Sequence, residues 1–229
     1  MSERHDVPLG AGHSTTATIY RAATPGERLL VLAHGAGAGQ HHPFMTAMAT
    51  ELATRGFDVV TFDFHYMHAR RKVPDRAPIL ESCFGGVVDW ALGRDEFASH
   101  RLLLGGKSMG GRMATHLAAA GFVARSGAGP ALGGVVALGY PLHPPGKPQQ
   151  LRTAHLPAIQ APLLIVQGSR DTFGSPDELR PVLATMPAPV VLHVVEGGDH
   201  SFAVPRTPRD AVLAGVADVI ARWADSSNL

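Results

Sequence analysis

The chain has 229 residues, a length at which an α/β protein usually closes one domain and not two. Hydrophobic residues make up 45% and charged residues 17%, enough apolar material for a shared core, which excludes an extended disordered chain or a coiled coil. Twenty Lys and Arg against nineteen Asp and Glu leave a net charge of +1, so no global field recruits nucleic acid or an anionic membrane.

The start, Met1-Ser2-Glu3-Arg4-His5-Asp6, is polar and lacks the apolar stretch of a signal peptide, and no later run approaches ~18 apolar residues. With one cysteine, Cys83, a soluble cytoplasmic protein is expected. Thr15 to Arg21 alternates polar and apolar residues and predicts a half-exposed edge strand. Arg28 to Ala33 is an apolar strand that runs into the small-residue loop His34-Gly-Ala-Gly37. A helix over Pro43 to Arg55 ends at Gly56, and a strand follows over Phe57 to Phe62. Next come a helix over Ile79 to Phe97, a strand over Arg101 to Gly105 and a helix over Met109 to Phe122, ending near Gly121. The pattern continues with strands over Gly134 to Leu138 and Leu163 to Gln167, a helix over Pro176 to Thr185, a strand over Val190 to Val195 and a helix over Pro208 to Asp225.

Most of these strands are continuous apolar runs, as expected when helices cover both faces. The expectation is therefore an α/β fold with a mostly parallel sheet of about six or seven strands. The proline-rich stretch Tyr140 to Pro148 is too short for a linker and reads as an ordered loop, so residues 1–229 form a single domain.

The chemistry begins at Gly105-Gly-Lys-Ser108-Met-Gly-Gly-Arg112, between an apolar strand and a helical pattern. Gly106-x-Ser108-x-Gly110 fits a nucleophile elbow, in which the residues two before and two after the serine crowd together and must be small. A bland reading makes Ser108 only a helix N-cap. Gly-Lys-Ser also closes a phosphate-binding loop, but that motif requires glycine at position 101, which is Arg. A dinucleotide fingerprint starting at Gly35 fails at Gln40. No nucleotide cofactor is expected.

A serine hydroxyl needs a histidine base, and that histidine needs an acid, in the chain order Ser, acid, His for this kind of fold. Among thirteen histidines, His200 lies after the last strand, in the turn Glu196-Gly-Gly-Asp-His-Ser-Phe202. Asp171, in the turn that follows Gln167, sits at a strand's carboxyl end, where such sites gather. Asp177 falls in a helix's first turn, Asp199 adjoins His200 and Asp63 breaks the order. Met109 and Ala36, with Gly37 in reserve, are the expected main-chain donors to an oxyanion. His34 reads as a loop-organising residue. His41-His42 and the pair His65 and His68 lack the carboxylates or cysteines of a metal site and read as surface or loop histidines.

The chain resembles the α/β-hydrolases, in the branch of dienelactone hydrolase-like proteins and of the testis-expressed and NSL-complex subunit hydrolase-like domains. The likeness spans about residues 30 to 202. It rests on His34-Gly-Ala-Gly, His42-Pro-Phe-Met, Phe62-Asp-Phe-His-Tyr-Met67 with Arg70-Arg71 and Pro74-Asp75, Gly106-Lys-Ser-Met-Gly-Gly-Arg112, Gly139 to Lys147, Gln167 to Gly174 and Gly198-Asp-His-Ser-Phe202. The resemblance implies Ser108, Asp171 and His200 as the triad, in agreement with their positions. Arg70, Arg71, Lys107 and Arg112 belong to the pattern without serving a catalytic step. They either form ion pairs with Asp63 or Asp75 or line the pocket and attract an acidic substrate.

The expected reaction is acyl transfer to water on a small or medium carboxylic ester or thioester, with no cofactor and no metal. The alternative is a hydrolase-fold interaction module without turnover, since branch members also serve as non-enzymatic parts of assemblies. The interval between Ser108 and Asp171 leaves only Tyr140 to Ala158 as a possible lid or pocket wall, so the cap is minimal.

Overall fold

The computed structural model describes residues 2–10, 12–24, 26–121 and 132–227; the expected helix end at Phe122 lies outside them. The strands are β1 (Ser2–Gly10), β2 (His13–Tyr20), β3 (Arg28–Ala33), β4 (Phe57–Phe62), β5 (Arg101–Lys107), β6 (Leu132–Leu138), β7 (Leu163–Gly168) and β8 (Val190–Val195). They form one eight-stranded sheet in the order β1-β2-β4-β3-β5-β6-β7-β8. The β1–β2 and β2–β4 pairs are antiparallel, and every pair from β4 across to β8 is parallel.

The helices are α1 (Pro43–Ala53), α2 (His65–His68), α3 (Ala77–Leu92), α4 (Met109–Ala119), α5 (Pro176–Leu183) and α6 (Arg209–Ser226). Strand alternation sorts the core into two layers. Leu29, Val31 and Ala33 of β3, with Leu102 and Leu104 of β5, face α3, α4 and α5. Leu30, Leu32 and Leu103 point the other way, into α1 and α6. Both faces of the central strands are thus buried, which is why their sequences read as unbroken apolar runs. No helix among the described residues is long and apolar enough to cross a membrane.

Three expectations are corrected. The sheet has eight strands because β1 escapes the pattern: it lies at the edge, buries only Val7 fully, and carries Pro8, which a sheet tolerates there. With β1 outside it, β2 is not a half-exposed edge; Thr15 through Ile19 are buried. Gln40 accepts from Thr18 Oγ1 at 2.9 Å and donates to Thr16 Oγ1 at 3.0 Å, while Thr15 Oγ1 donates to the Asp63 main-chain oxygen. Finally, the helix expected to reach Phe97 stops at Leu92, and a separate 3-10 turn covers Asp95–Phe97.

Candidate active site

Strand β5 turns into α4 at Ser108, whose backbone has φ 53° and ψ −115°, a strained conformation for a residue with a side chain. The turn closes only because its flanks are bare. A Cβ on Gly106 would overlap the main chain of Gly110, one on Gly110 would overlap the Ala33 carbonyl, and one on Gly111 would lie 2.6 Å from the Gly106 oxygen. Gly110→Ala is therefore expected to lower stability by about 3 kcal/mol and to displace Ser108. Thermal unfolding beside an activity assay checks this; unchanged melting would contradict the packing.

The residues expected to act together form one hydrogen-bonded chain. His200 Nδ1 lies 2.8 Å from Asp171 Oδ2, and His200 Nε2 lies 2.8 Å from Ser108 Oγ. The Asp171 carboxylate only accepts, so Nδ1–H donates to it, leaving Nε2 to accept from the serine hydroxyl. Asp171 is fully buried and the imidazole is 21% exposed. The carboxylate is held on both oxygens: Phe173 N donates to Oδ1 at 2.8 Å and Gln167 Nε2 donates to Oδ2 at 2.9 Å. Gln167 also accepts from Tyr140 N at 2.7 Å, so it braces the acid's loop against β6. The Phe173 ring stacks on the imidazole, with centroids 4.2 Å apart. Asp199 instead organises its own turn by accepting from Ser201 N and Ala203 N. Asp177 is exposed on the first turn of α5.

Met109 opens α4, where a helix's first N–H groups have no partner inside the helix. Ala36 lies in the loop after β3, beside Ser108. Three side chains shape that loop. Tyr66 Oη donates to the Ala36 oxygen at 2.9 Å. His34 Nε2 accepts from Phe64 N at 3.0 Å, which leaves Nδ1–H to donate to the Gly35 oxygen at 2.7 Å. Burial pushes His34 below its usual range, consistent with a neutral ring. Asp63 Oδ1 accepts from Gln40 N at 2.8 Å. The segment Phe62 to Met67 thus acts as the frame of the loop carrying Ala36. Sequence reading gave it no such part.

A cavity of about 410 Å³ opens at Ser108. Its walls are the Gly35 to Ala38 loop, Phe44 and Met45 of α1, Phe173, and Lys107 with Arg209 at the rim of α6. His42, read as a surface or loop residue, is an exposed residue of the loop before α1, where it caps that helix and also lines this cavity. A larger cavity of about 580 Å³ lies between the β1–β2 hairpin, α2 and α3 and shares no lining residue with the first.

The sequence model of the alpha/beta hydrolase domain matches residues 26–225, nearly the whole chain. The chain belongs to the alpha/beta hydrolase family. Solved structures have the same fold. Dienelactone hydrolase from Anabaena variabilis is 20% identical, with a TM-score of 0.75 over 99% of this chain and 97% of that one. XC6422 from Xanthomonas campestris, an α/β serine hydrolase without a lid, is 19% identical, with a TM-score of 0.74 over 97% and 94%. Est1E from Butyrivibrio proteoclasticus with ferulic acid bound is 15% identical, with a TM-score of 0.76 over 97% and 98%. The motif resemblance is thereby met at the level of the alpha/beta hydrolase family.

In this alpha/beta hydrolase the proline-rich stretch does not wall the cavity at Ser108, contrary to expectation. Tyr140 Oη donates to the Arg152 oxygen at 2.6 Å, closing the stretch on itself, and His143 pairs with Glu178 at 3.2 Å, which ties it to α5. The four pattern cations part company. Arg71 forms a two-pronged pair with Asp75 at 2.6 and 2.9 Å, Arg70 is exposed, and Lys107 lines the cavity. Arg112 is part-buried with no ion pair among the described residues, and the nearby Glu81 is held by His116 at 2.8 Å. No single ion-pair network unites them.

Proposed function

We propose that this one-domain protein is a cytoplasmic serine hydrolase that cleaves small or medium carboxylic esters or thioesters through an acyl-enzyme. The observation that carries the reading is the chain Ser108–His200–Asp171, drawn from three strand ends and open to the 410 Å³ cavity. His200 Nε2 takes the hydroxyl proton as Ser108 Oγ bonds to the substrate carbonyl. The oxyanion receives the main-chain N–H groups of Met109 and Ala36. His200 then gives its proton to the departing alkoxide or thiolate, and the acyl group stays on Ser108. A water molecule repeats the sequence: Nε2 takes its proton, the hydroxyl adds to the acyl carbon, and the acid leaves as Ser108 recovers its hydrogen. Asp171 keeps Nδ1–H directed at itself and stabilises the imidazolium at each step.

The walls of Phe44, Met45 and Phe173 suit a short apolar acyl group. Fluorophosphonate treatment followed by peptide mass analysis is expected to place the label on Ser108. p-Nitrophenyl acetate and butyrate are expected to exceed the dodecanoate in kcat/KM by at least about 10-fold, since the large apolar side chains of the wall are limited to Phe44, Met45 and Phe173 and most of a long chain would lie against polar groups or solvent. An unlabelled Ser108 would favour the interaction-module reading.

A further inference from the structure

Lys107 immediately precedes the nucleophile, and hydrolysis as described makes no use of it. It is one of few buried charged side chains, 9% exposed. Its ammonium donates to the main-chain oxygen of His200 at 2.6 Å and lies over the rings of Phe44 at 5.7 Å and Phe202 at 5.6 Å. Space for it is left at the end of β6, where Gly139 has φ 66° and a Cβ would stand 2.8 Å from Nζ. Among the described residues no carboxylate forms an ion pair with it; Asp171 and Asp199 act on it only at longer range.

Burying a cation is costly and persists where something is gained. Apart from the imidazole's own bonds to Ser108 and Asp171, the turn carrying His200 is tied to itself and to the neighbouring loop: Asp199 accepts from Ser201 N and Ala203 N, Gly197 N donates to Ser169 Oγ at 2.8 Å, and Arg170 N donates to the Gly198 oxygen at 2.9 Å. None of these bonds reaches β5. The ammonium does, and a charged donor makes a stronger bond to a carbonyl than a neutral one.

We propose that Lys107 is a positioning residue: anchored on the strand that carries Ser108, it grips the His200 peptide and thereby fixes the imidazole between Ser108 and Asp171. The proposal rests on the serine hydrolase reading above. Other charged or titratable groups around the ammonium are Asp199 and His200 of the gripped turn, Asp171 from the loop after β7, His42 at the start of α1 and Arg209 at the start of α6. Burial pushes the ammonium down to about 8 against the pull of Asp171 and Asp199. Lys107 is therefore charged below about pH 8 and becomes a weaker, neutral donor above it, so turnover falls as pH rises through that value.

The test compares wild type, Lys107→Met and Lys107→Arg on p-nitrophenyl butyrate from pH 6 to 10, with melting temperatures and fluorophosphonate labelling rates. Methionine keeps a long unbranched side chain beside Phe44 and Phe202 but cannot donate to the carbonyl. Lys107→Met is expected to lose about 10- to 100-fold in kcat and labelling rate, with KM within about threefold, and to lack the decline above pH 8. Arginine keeps its charge throughout this range, so Lys107→Arg is expected to recover much of kcat without that decline, and it decides the matter should the methionine variant not fold. An unchanged kcat in Lys107→Met, or a decline near pH 8 that persists in both variants, overturns the role. A wild type that neither labels nor turns over overturns the hydrolase reading itself. A wild type that labels no faster than Lys107→Met overturns only the role of Lys107.

Discussion

Ser108→Ala is expected to lower the turnover of p-nitrophenyl butyrate by about 10⁶-fold while leaving the melting temperature within a few degrees of wild type. The size of the loss follows from the hydrogen-bonded chain, in which His200 and Asp171 prepare one oxygen and can attack nothing without it. What survives is stabilisation by the main-chain donors of Met109 and Ala36, acting on a water that nothing holds in line. Thermal stability is a separate matter. The strained φ of 53° at Ser108 is imposed by the packing of Gly106, Gly110 and Gly111, and alanine inherits it almost unchanged. A variant retaining even a tenth of wild-type turnover would remove Ser108 from the mechanism.

Asp171→Asn is expected to cost about 10⁴-fold, and the physical cause is a proton in the wrong place. The Asp171 carboxylate now meets three donors: Phe173 N on one oxygen, Gln167 Nε2 and His200 Nδ1 on the other. An asparagine amide offers a single acceptor atom and turns an N–H toward one of those donors. Gln167 and the Phe173 main chain are buried or fixed, so the imidazole is the partner that yields. It shifts its hydrogen to Nε2 and can no longer accept from Ser108. Measuring kcat/KM together with the fluorophosphonate rate checks this, because both need the same deprotonation. A loss smaller than about 10-fold would show that the acid is supplied elsewhere.

The central strands and the elbow are legible in the sequence because both depend on short-range rules. An unbroken apolar run such as Leu102-Leu103-Leu104 means cover on both faces, and small residues two before and two after a serine mean a tight turn. Asp171 and His200 follow from their places after strand ends. Other features depend on partners distant in sequence. Strand β1 buries only Val7 fully, so its pairing with β2 leaves no periodic trace. Gln167 carries a signal of its own: a polar side chain that ends an apolar strand and is fully buried has to serve some neighbour. The cavity wall is not legible in the same way, because the length of the Ser108–Asp171 interval shows only which segment is long enough to form a wall and not where that segment packs. Phe44 and Arg209 line it instead, brought from α1 and α6 by packing on the opposite face of the sheet.

Strand β8 lies at the sheet's margin, paired only with β7 and with Val191 45% exposed, while β5 is hydrogen-bonded on both sides in the interior. The proposed nucleophile, Ser108, and its proposed base, His200, therefore belong to regions of unequal protection. Opening of a marginal strand needs far less free energy than global unfolding, and amide hydrogens there exchange with solvent first. Fraying of β8 would carry His200 away from a β5 elbow that remains intact. The protein would then be disarmed by a sub-global fluctuation and rearmed when the strand re-pairs, with no need for the chain to refold.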